Sequence, residues 1–113
     1  MVDKHIVKGF DADLESIKNK INKISGIVES QLSYSYQSLV ERNGVLAQKV
    51  IERDKKIDAK YQELLDLSVK LFALRQPFAN DLRYVISSLK IASDLERIGD
   101  QSKNIAKASI WLS

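Results

Sequence analysis

Apolar residues recur at alternating steps of four and three along most of the chain. The first segment shows this most clearly, in the row Phe10, Leu14, Ile17, Ile21, Ile24 and Val28. Such spacing gives the narrow apolar stripe of a helix that packs at a shallow angle against its neighbours. The alternation of apolar and polar residues that is typical of strands is almost absent. The pattern therefore predicts an all-α protein.

Two breaks divide this pattern into three helices. Residues 42–44, Arg-Asn-Gly, tolerate positive φ and predict a helix end followed by a tight connection. Pro77 predicts the second break, because proline disfavours helix at the residue before it and fits the first position of a new helix. We expect helices at about 5–41, 44–75 and 77–111. The short connections predict one domain over residues 1–113, an antiparallel up-down-up three-helix bundle.

The third predicted helix carries two apolar rows. Leu82, Val85 and Leu89 lie on one side of it. The other side carries the row Ile91, Leu95, Ile98, Ile105 and Leu112. Two such rows predict that this helix contacts two neighbours or a further unit.

Carboxylates interrupt the apolar columns of the second and third helices. On the second helix, apolar residues spaced by seven form the column Ile51, Leu65 and Phe72, and Asp58 takes the place of an apolar residue in it. Asp54 lies in the neighbouring column. Glu96 and Asp100 end similar columns on the third helix. Residues four apart share one helix face, so each pair can offer four oxygens to one cation. Close carboxylates also repel each other, which predicts a partner of positive charge.

Composition narrows the chemistry of that partner. The chain has no Cys and one His, which excludes a disulfide framework, thiolate zinc and a histidine-rich site. A cation held by oxygen is a hard ion such as Mg, Ca or Mn, or oxygen-ligated iron. The alternative partner of Glu96 and Asp100 is a basic side chain, Arg97, Lys103 or Lys90, in an ordinary surface ion pair.

The charge pattern argues against a nucleic-acid-binding protein. A formal charge of +3 with 29% charged residues describes a mixed, solvated surface. Two groups of basic residues are interpreted as solvated helix faces, with phosphate or anionic-lipid contacts as the alternative: Lys18, Lys20 and Lys23, and Arg53, Lys55 and Lys56. The start of the chain lacks the apolar core of a signal peptide, and no stretch approaches the roughly 20 apolar residues that span a bilayer. These features predict a cytoplasmic protein.

Catalysis finds little support in the sequence. The chain lacks a phosphate-cradling Gly-rich loop and a recognisable pair of nucleophile and base. It also lacks the Glu-x-x-His motifs that di-metal oxidases of the bundle class use. We therefore expect no enzyme, and a metal-dependent enzyme ranks last among the hypotheses.

Two segments of the second half carry a specific motif. They read Arg75-Gln76-Pro77-Phe78-Ala79-Asn80-Asp81-Leu82-Arg83 and, further on, Asp94-Leu95-Glu96-Arg97-Ile98-Gly99-Asp100. Together with Ile51-Glu52-Arg53-Asp54 and Ile57-Asp58, they resemble the PhoU family in order and spacing along nearly the whole chain. The motifs are far more specific than a generic helical bundle would give.

The resemblance implies a function. Members of that family are cytoplasmic accessory proteins of phosphate transport, built from two similar three-helix repeats and often homodimeric. They are negative regulators of the phosphate-starvation response, acting at the membrane through the phosphate ABC transporter and a sensor histidine kinase. Their acidic motif is associated with metal, here Fe, Zn, Mn or Mg, and it falls on Glu96 and Asp100, with Asp54 and Asp58 as the second instance.

Two further expectations follow from the resemblance. Around Pro77, the residues Arg75, Gln76, Asp81 and Arg83 either contact a partner protein or fix the turn. The chain corresponds to the amino-terminal repeat alone, which predicts a fragment, a truncated gene or a single-repeat form, with the second surface absent or supplied by dimerisation. The rival hypothesis is a structural, oligomerising bundle whose acidic pairs form ion pairs across helices and bind no metal.

Overall fold

Three long helices make up the part of the chain that the computed structural model describes, residues 4–77 and 79–112, with side chains from residue 9 onward. Helix α1 spans Lys4–Glu41, α2 spans Gly44–Arg75 and α3 spans Ala79–Leu112. Each helix contacts the other two, and they form a rod of 64 × 19 × 17 Å. The predicted all-α three-helix bundle is confirmed, and no strand occurs among these residues. Within the described helices, no stretch has the sustained hydropathy that a bilayer-spanning segment requires.

The first connection is a tight turn whose residues cap the end of α1 and the start of α2. Arg42 has a φ of 53°, and its N–H donates to the carbonyl of Leu39 while the N–H of Asn43 donates to Ser38. This pair of hydrogen bonds is the Schellman motif, which satisfies the last carbonyls of α1. Asn43 then caps α2, since its side chain accepts from the N–H of Leu46 at 3.1 Å. Of the three residues of this turn, Arg42 is therefore the one that adopts the left-handed conformation.

The second connection differs from the expectation at Pro77. Gln76 ends α2 in the left-handed conformation, with a φ of 46°, and its N–H donates to the carbonyl of Phe72. Pro77 lies in the link, and α3 begins at Ala79, which itself has a φ of 56°. The prediction that Pro77 starts the third helix is therefore wrong, because the chain leaves the helical conformation at Gln76 and α3 begins only at Ala79. Phe78, which was expected inside that helix, lies outside the described residues.

The core changes character along the rod. One half is filled by large apolar side chains, with Ile24, Ile57 and Leu64 among its fully buried members. The other half buries small residues, the cluster of Ala47, Val50 and Ala106 together with the serines Ser35, Ser38, Ser102 and Ser109. Three of these hydroxyls donate to carbonyls of their own helix, and that of Ser109 donates across to Ser38 of α1 at 2.8 Å. Buried hydroxyls are satisfied in this way without water.

The second apolar row of α3 is largely open to solvent. Ile91, Ile98 and Leu112 are exposed, at 52%, 41% and 60% of their surface, and Trp111 is 84% exposed. Exposed apolar side chains at heptad spacing mark a face suited to contact with another helix. Leu95 of the same row packs against the core and Ile105 is half-buried, so the other two helices leave only Ile91, Ile98 and Leu112 of the row exposed.

Candidate metal centre

Three of the four predicted acidic residues meet where α2 packs on α3. Asp54 and Asp58 lie one turn apart on α2, and Asp100 lies on α3. One carboxylate oxygen from each residue lies within 4.8 Å of the other two. Asp54 is 3% exposed and belongs to the core, whereas Asp58 is open to solvent. The two sequence motifs therefore contribute to one acidic cluster across two helices.

Glu96 adjoins this cluster from the preceding turn of α3. Its Oε2 atom is buried and has no hydrogen-bond partner. Burial raises the pKa of Glu96, and the negative charges of Asp58, Asp100 and Asp54 raise it further. All four predicted acidic residues thus share one electrostatic environment.

Lys103 supplies the positive charge that the cluster holds within the chain. Its Nζ lies 3.1 Å from Oδ2 of Asp54. That hydrogen bond, followed by the charge of Asp54, raises the pKa of Lys103 above its usual range. The second oxygen of Asp54, Oδ1, is buried without a partner. Lys103 therefore satisfies only one of the two oxygens of the buried carboxylate.

The raised pKa of Asp58 indicates that Lys103 does not neutralise the cluster fully. Burial raises the pKa of Asp58, as do the charges of Asp54 and Asp100, and Lys103 opposes this only as the smallest of the four causes. Four carboxylates face one ammonium group, so the cluster keeps a negative excess. A bound cation would lower the cost of holding these groups ionised side by side.

Gly99 permits the close approach of the two helices. A Cβ atom at this position would lie 2.8 Å from Cδ1 of Ile57 and 3.7 Å from Oδ1 of Asp54. Gly99 is buried, and the absence of a side chain lets α3 rest on Ile57. The neighbouring Asp100 is thereby brought within reach of the α2 carboxylates.

The donor set fits a hard cation. Its ligating atoms are carboxylate oxygens, which Mg, Mn and Ca prefer and which iron accepts. The buried, unpartnered oxygens of Asp54 and Glu96 are atoms that a metal or ordered water would satisfy. Lys103 competes for the same carboxylate, so the geometry is also compatible with an ion-paired cluster that holds no metal.

The four residues around the second connection separate into two roles. Arg75 points back to α1, where its Nε lies 3.4 Å from Oδ2 of Asp13, and Gln76 caps α2 through its backbone. These two residues therefore make contacts within the chain, and whether they also contact a partner stays open. Asp81 and Arg83 are exposed in the first turns of α3, and neither forms an ion pair with any residue from 9 to 77 or 79 to 112.

Comparison with protein families supports the sequence resemblance. Residues 21–109 match the family model described as the PhoU domain. Among curated proteins, the chain is 37% identical over 110 residues to the phosphate-specific transport system accessory protein PhoU homolog of Caulobacter vibrioides, covering 97% of this chain and 48% of that protein. It is 37% identical over 109 residues to the Escherichia coli accessory protein PhoU, covering 96% of this chain and 45% of that protein.

A solved structure matches the fold. The crystal structure of PhoU from Pseudomonas aeruginosa superposes with a TM-score of 0.88 and 37% sequence identity, covering 91% of this chain and 49% of that one. The chain therefore spans about half the length of the relatives it matches.

Proposed function

Because the chain belongs to the PhoU domain family, we propose that it serves as an accessory protein of phosphate transport. The curated relatives are named as accessory proteins of the phosphate-specific transport system. The role proposed here is regulatory rather than catalytic: a helical protein that contacts the cytoplasmic side of a phosphate ABC transporter and a sensor histidine kinase. Through these contacts it restrains the phosphate-starvation response.

Two exposed surfaces support contact with other proteins. Asp81 and Arg83 offer charges that the described chain leaves unpaired, at the end of the rod near Pro77. The row on α3 that includes Ile91, Ile98 and Leu112 offers apolar side chains. We propose that a second copy of the chain, forming a homodimer, covers the apolar row, and that the charged end contacts the transporter or kinase.

We further propose that the acidic cluster binds a divalent or iron-type metal ion. Asp54, Asp58 and Asp100 supply the oxygens that lie within 4.8 Å of one another, and Glu96 lies beside them. The unpartnered Oδ1 of the buried Asp54 is the single observation on which this proposal most depends. The ion would join α2 to α3 and couple the metal state to the shape of the partner surface, without turnover.

Metal analysis tests this site directly. Protein purified without chelator is assayed for metal by mass spectrometry and titrated with Mn²⁺ by calorimetry. We expect stoichiometric binding that the double variant Asp54→Asn/Asp100→Asn abolishes, because it removes a charge from each helix of the cluster.

A matched variant controls for the loss of charge. Asp81→Asn/Asp94→Asn removes two exposed carboxylates of α3 that lie outside the cluster, and it should leave Mn²⁺ binding unchanged. Binding that is absent from the parent protein, or weakened equally by both variants, would reject the metal site.

The partner role is tested by co-purification with the cytoplasmic components of a phosphate transporter. Capture by the parent protein and loss of capture by Asp81→Asn/Arg83→Gln would support the adaptor function. Capture that is unaffected by this change would exclude the charged end as the contact surface, and failure of the parent protein to bind would reject the transporter as partner.

A second candidate function has its own observation in support. The 3.1 Å pair between Lys103 and Asp54 neutralises part of the cluster within the chain. On that hypothesis the protein is a structural, oligomerising bundle whose acidic pairs form ion pairs across helices and bind no metal. It predicts an oligomer that is insensitive to chelator and contains no metal in any variant.

A further inference from the structure

A groove between α1 and α2 lies on a different face from the acidic cluster. Its volume is about 430 Å³, within the range of small-molecule pockets, roughly 300 to 1,000 Å³. The residues that line it are Lys23, Gly26, Ile27, Ser30 and Gln31 of α1 and Arg53, Lys56 and Lys60 of α2. Four of these eight residues carry a positive charge.

Most of this positive charge is not balanced within the described chain. Lys60 shares Glu63 with Lys20, at 3.9 and 3.5 Å. Lys23, Arg53 and Lys56 form no ion pair with residues 9–77 or 79–112. The guanidinium of Arg53 lies 5.7 Å from the centroid of the Tyr34 ring, which restrains its position. The groove therefore presents an excess of positive charge.

Gly26 is a glycine without a packing reason inside the chain. Glycine in the middle of a helix costs about 1 kcal/mol relative to alanine. At Gly99 this cost is explained by Ile57, which a side chain would meet, and at Gly9 by the guanidinium of Arg75. A Cβ at Gly26 would meet no atom within 4 Å, although the residue lines the groove. Gly26 is exposed, and no described residue fills the space beside its backbone.

Gln31 adds a buried acceptor to the same groove. The residue is 1% exposed, and its Nε2 donates to the carbonyl of Val50 at 2.6 Å. Its Oε1 is buried and has no hydrogen-bond partner. A fixed amide oxygen of this kind accepts from a hydroxyl or amino group.

We propose that the groove binds a small molecule that carries phosphoryl groups. Lys23, Arg53 and Lys56 would bind the phosphoryl oxygens, Gly26 would let the ligand approach the helix backbone, and Oε1 of Gln31 would accept from a ligand hydroxyl. An amphipathic helix fits less well, because Ile27 is the one large apolar side chain that lines the groove. This site is independent of the acidic cluster and of any metal there.

Calorimetric titration with ADP and with pyrophosphate tests the proposal. Chelator is present throughout, so that the result does not depend on metal at the α2–α3 cluster. We expect the parent protein to bind both probes at physiological ionic strength. Arg53→Gln/Lys56→Gln should weaken binding by at least about tenfold, because two charge-assisted contacts are lost.

Two further variants separate a specific site from general electrostatic attraction. Lys18→Gln/Lys55→Gln makes the same charge change at exposed positions outside the groove and should alter affinity less than about twofold. Gly26→Leu fills the open space, so it should abolish binding while the thermal midpoint stays equal or rises. A purely structural role for Gly26 would instead lower the midpoint.

Four results would overturn the proposal. They are no heat of binding with either probe, equal weakening by the two double variants, undiminished binding by Gly26→Leu, and a lowered midpoint in that variant. Flotation with phosphatidylglycerol vesicles identifies a different source of the same chemistry. Binding to vesicles without binding to ADP or pyrophosphate would make the groove a membrane contact and reject the small-molecule ligand.

Discussion

The side of α2 that packs on α3 and the side that packs on α1 lie in surroundings of opposite charge. The free-energy cost of holding these charges differs greatly between the two sides. Towards α3, Asp54 is buried, and its neighbours Asp58 and Glu96 have a pKa raised by burial and by mutual repulsion. Towards α1, Lys23, Arg53 and Lys56 are exposed, and their long side chains keep the charged groups in water. A charge is expensive where it is desolvated and cheap where it is solvated, so the acidic face depends on a counter-ion and the basic face does not.

Adjacent residues produce this contrast. Arg53 and Asp54 are consecutive, and a helix turns about 100° per residue, so one side chain faces the α1 groove and the other faces α3. The formal charge of +3, which counts every charged residue of the chain, therefore describes neither surface: the acidic cluster is locally negative and the groove is locally positive.

The largest expected effect comes from removing the counter-ion of the acidic face. Lys103→Met leaves the carboxylate of Asp54 buried without its 3.1 Å partner, and in chelator it should lower the free energy of unfolding by about 2–3 kcal/mol. Urea denaturation measures this. Lys90→Met, an exposed position of the same helix, should change stability by less than about 0.5 kcal/mol. Equal losses in both variants would show that Asp54 does not depend on Lys103.

Alanine at the two glycines should act in opposite directions. Gly99→Ala places a methyl group 2.8 Å from Cδ1 of the buried Ile57, and overpacking should outweigh the gain in helix propensity, for a net loss of about 1 kcal/mol. Gly26→Ala meets no atom and should gain about 0.5–1 kcal/mol. Chemical denaturation of both variants gives the comparison. A gain at both positions would mean that Ile57 moves aside without cost.

A smaller effect is expected from pH. The pKa values of Asp58 and Glu96 are raised above their ordinary 3.8 and 4.5, so the folded chain binds these protons more tightly than the unfolded chain. Their contribution is present below about pH 4 and is lost as the pH rises through the raised pKa values. The loss should stay below about 1 kcal/mol, since solvent screens both groups.

Thermal unfolding in chelator between about pH 4 and pH 7 measures this decline. The double variant Asp58→Asn/Glu96→Gln should flatten it, while Asp81→Asn/Asp94→Asn should keep the slope of the parent. If stability falls with pH at the same rate in all three proteins, Asp58 and Glu96 are not the cause of the decline.

The smallest effect should come from the basic face. Arg53→Gln removes a cation that lies 5.7 Å from the Tyr34 ring at an exposed site, which is worth about 0.5 kcal/mol. Urea denaturation measures this loss, with Arg83→Gln as the control, because Arg83 is exposed and forms no cation–π contact with the rings that the structure describes. A loss as large as that of Lys103→Met would contradict the contrast between the two faces.

Periodicity alone predicted most of the fold. The heptad columns follow from burial, which acts on every turn, so they located the helices without knowledge of their neighbours. The turn residues were less predictable. The sequence offered Arg42, Asn43 and Gly44 for positive φ without choosing among them, and Arg42 is the one that adopts it. It also predicted Pro77 as a helix start, but α3 begins at Ala79, and Gln76 and Ala79 are left-handed. Geometry at a chain reversal depends on how the two helices dock, and it overrides local preference.

The candidate sites show where sequence reasoning ends. Each acidic pair was visible as i, i+4 spacing, but the meeting of Asp54 with Asp100 depends on the register between two helices, which periodicity within one helix does not contain. Lys103 follows Glu96 by one heptad and was named as its possible partner, yet it pairs with Asp54. The basic groove was named only in part, for the same reason: Lys23, Arg53 and Lys56 were interpreted as members of two solvated faces, with phosphate or anionic-lipid contacts as the alternative. Arg53, Lys56 and Lys60 share a helix face in the sequence, but only docking brings Lys23 opposite them.

The change of core along the rod has a consequence for how the molecule opens. Where Ser35, Ser38 and Ala47 fill the centre, little apolar area holds the helices together, whereas Ile57 and Leu64 anchor the other half. Amide protons near the α1–α2 turn should therefore exchange with solvent deuterium through local fraying, and those around Leu64 only when the whole chain unfolds. The acidic cluster lies between these two regions, so local unfolding that starts at the α1–α2 turn should end near Asp54.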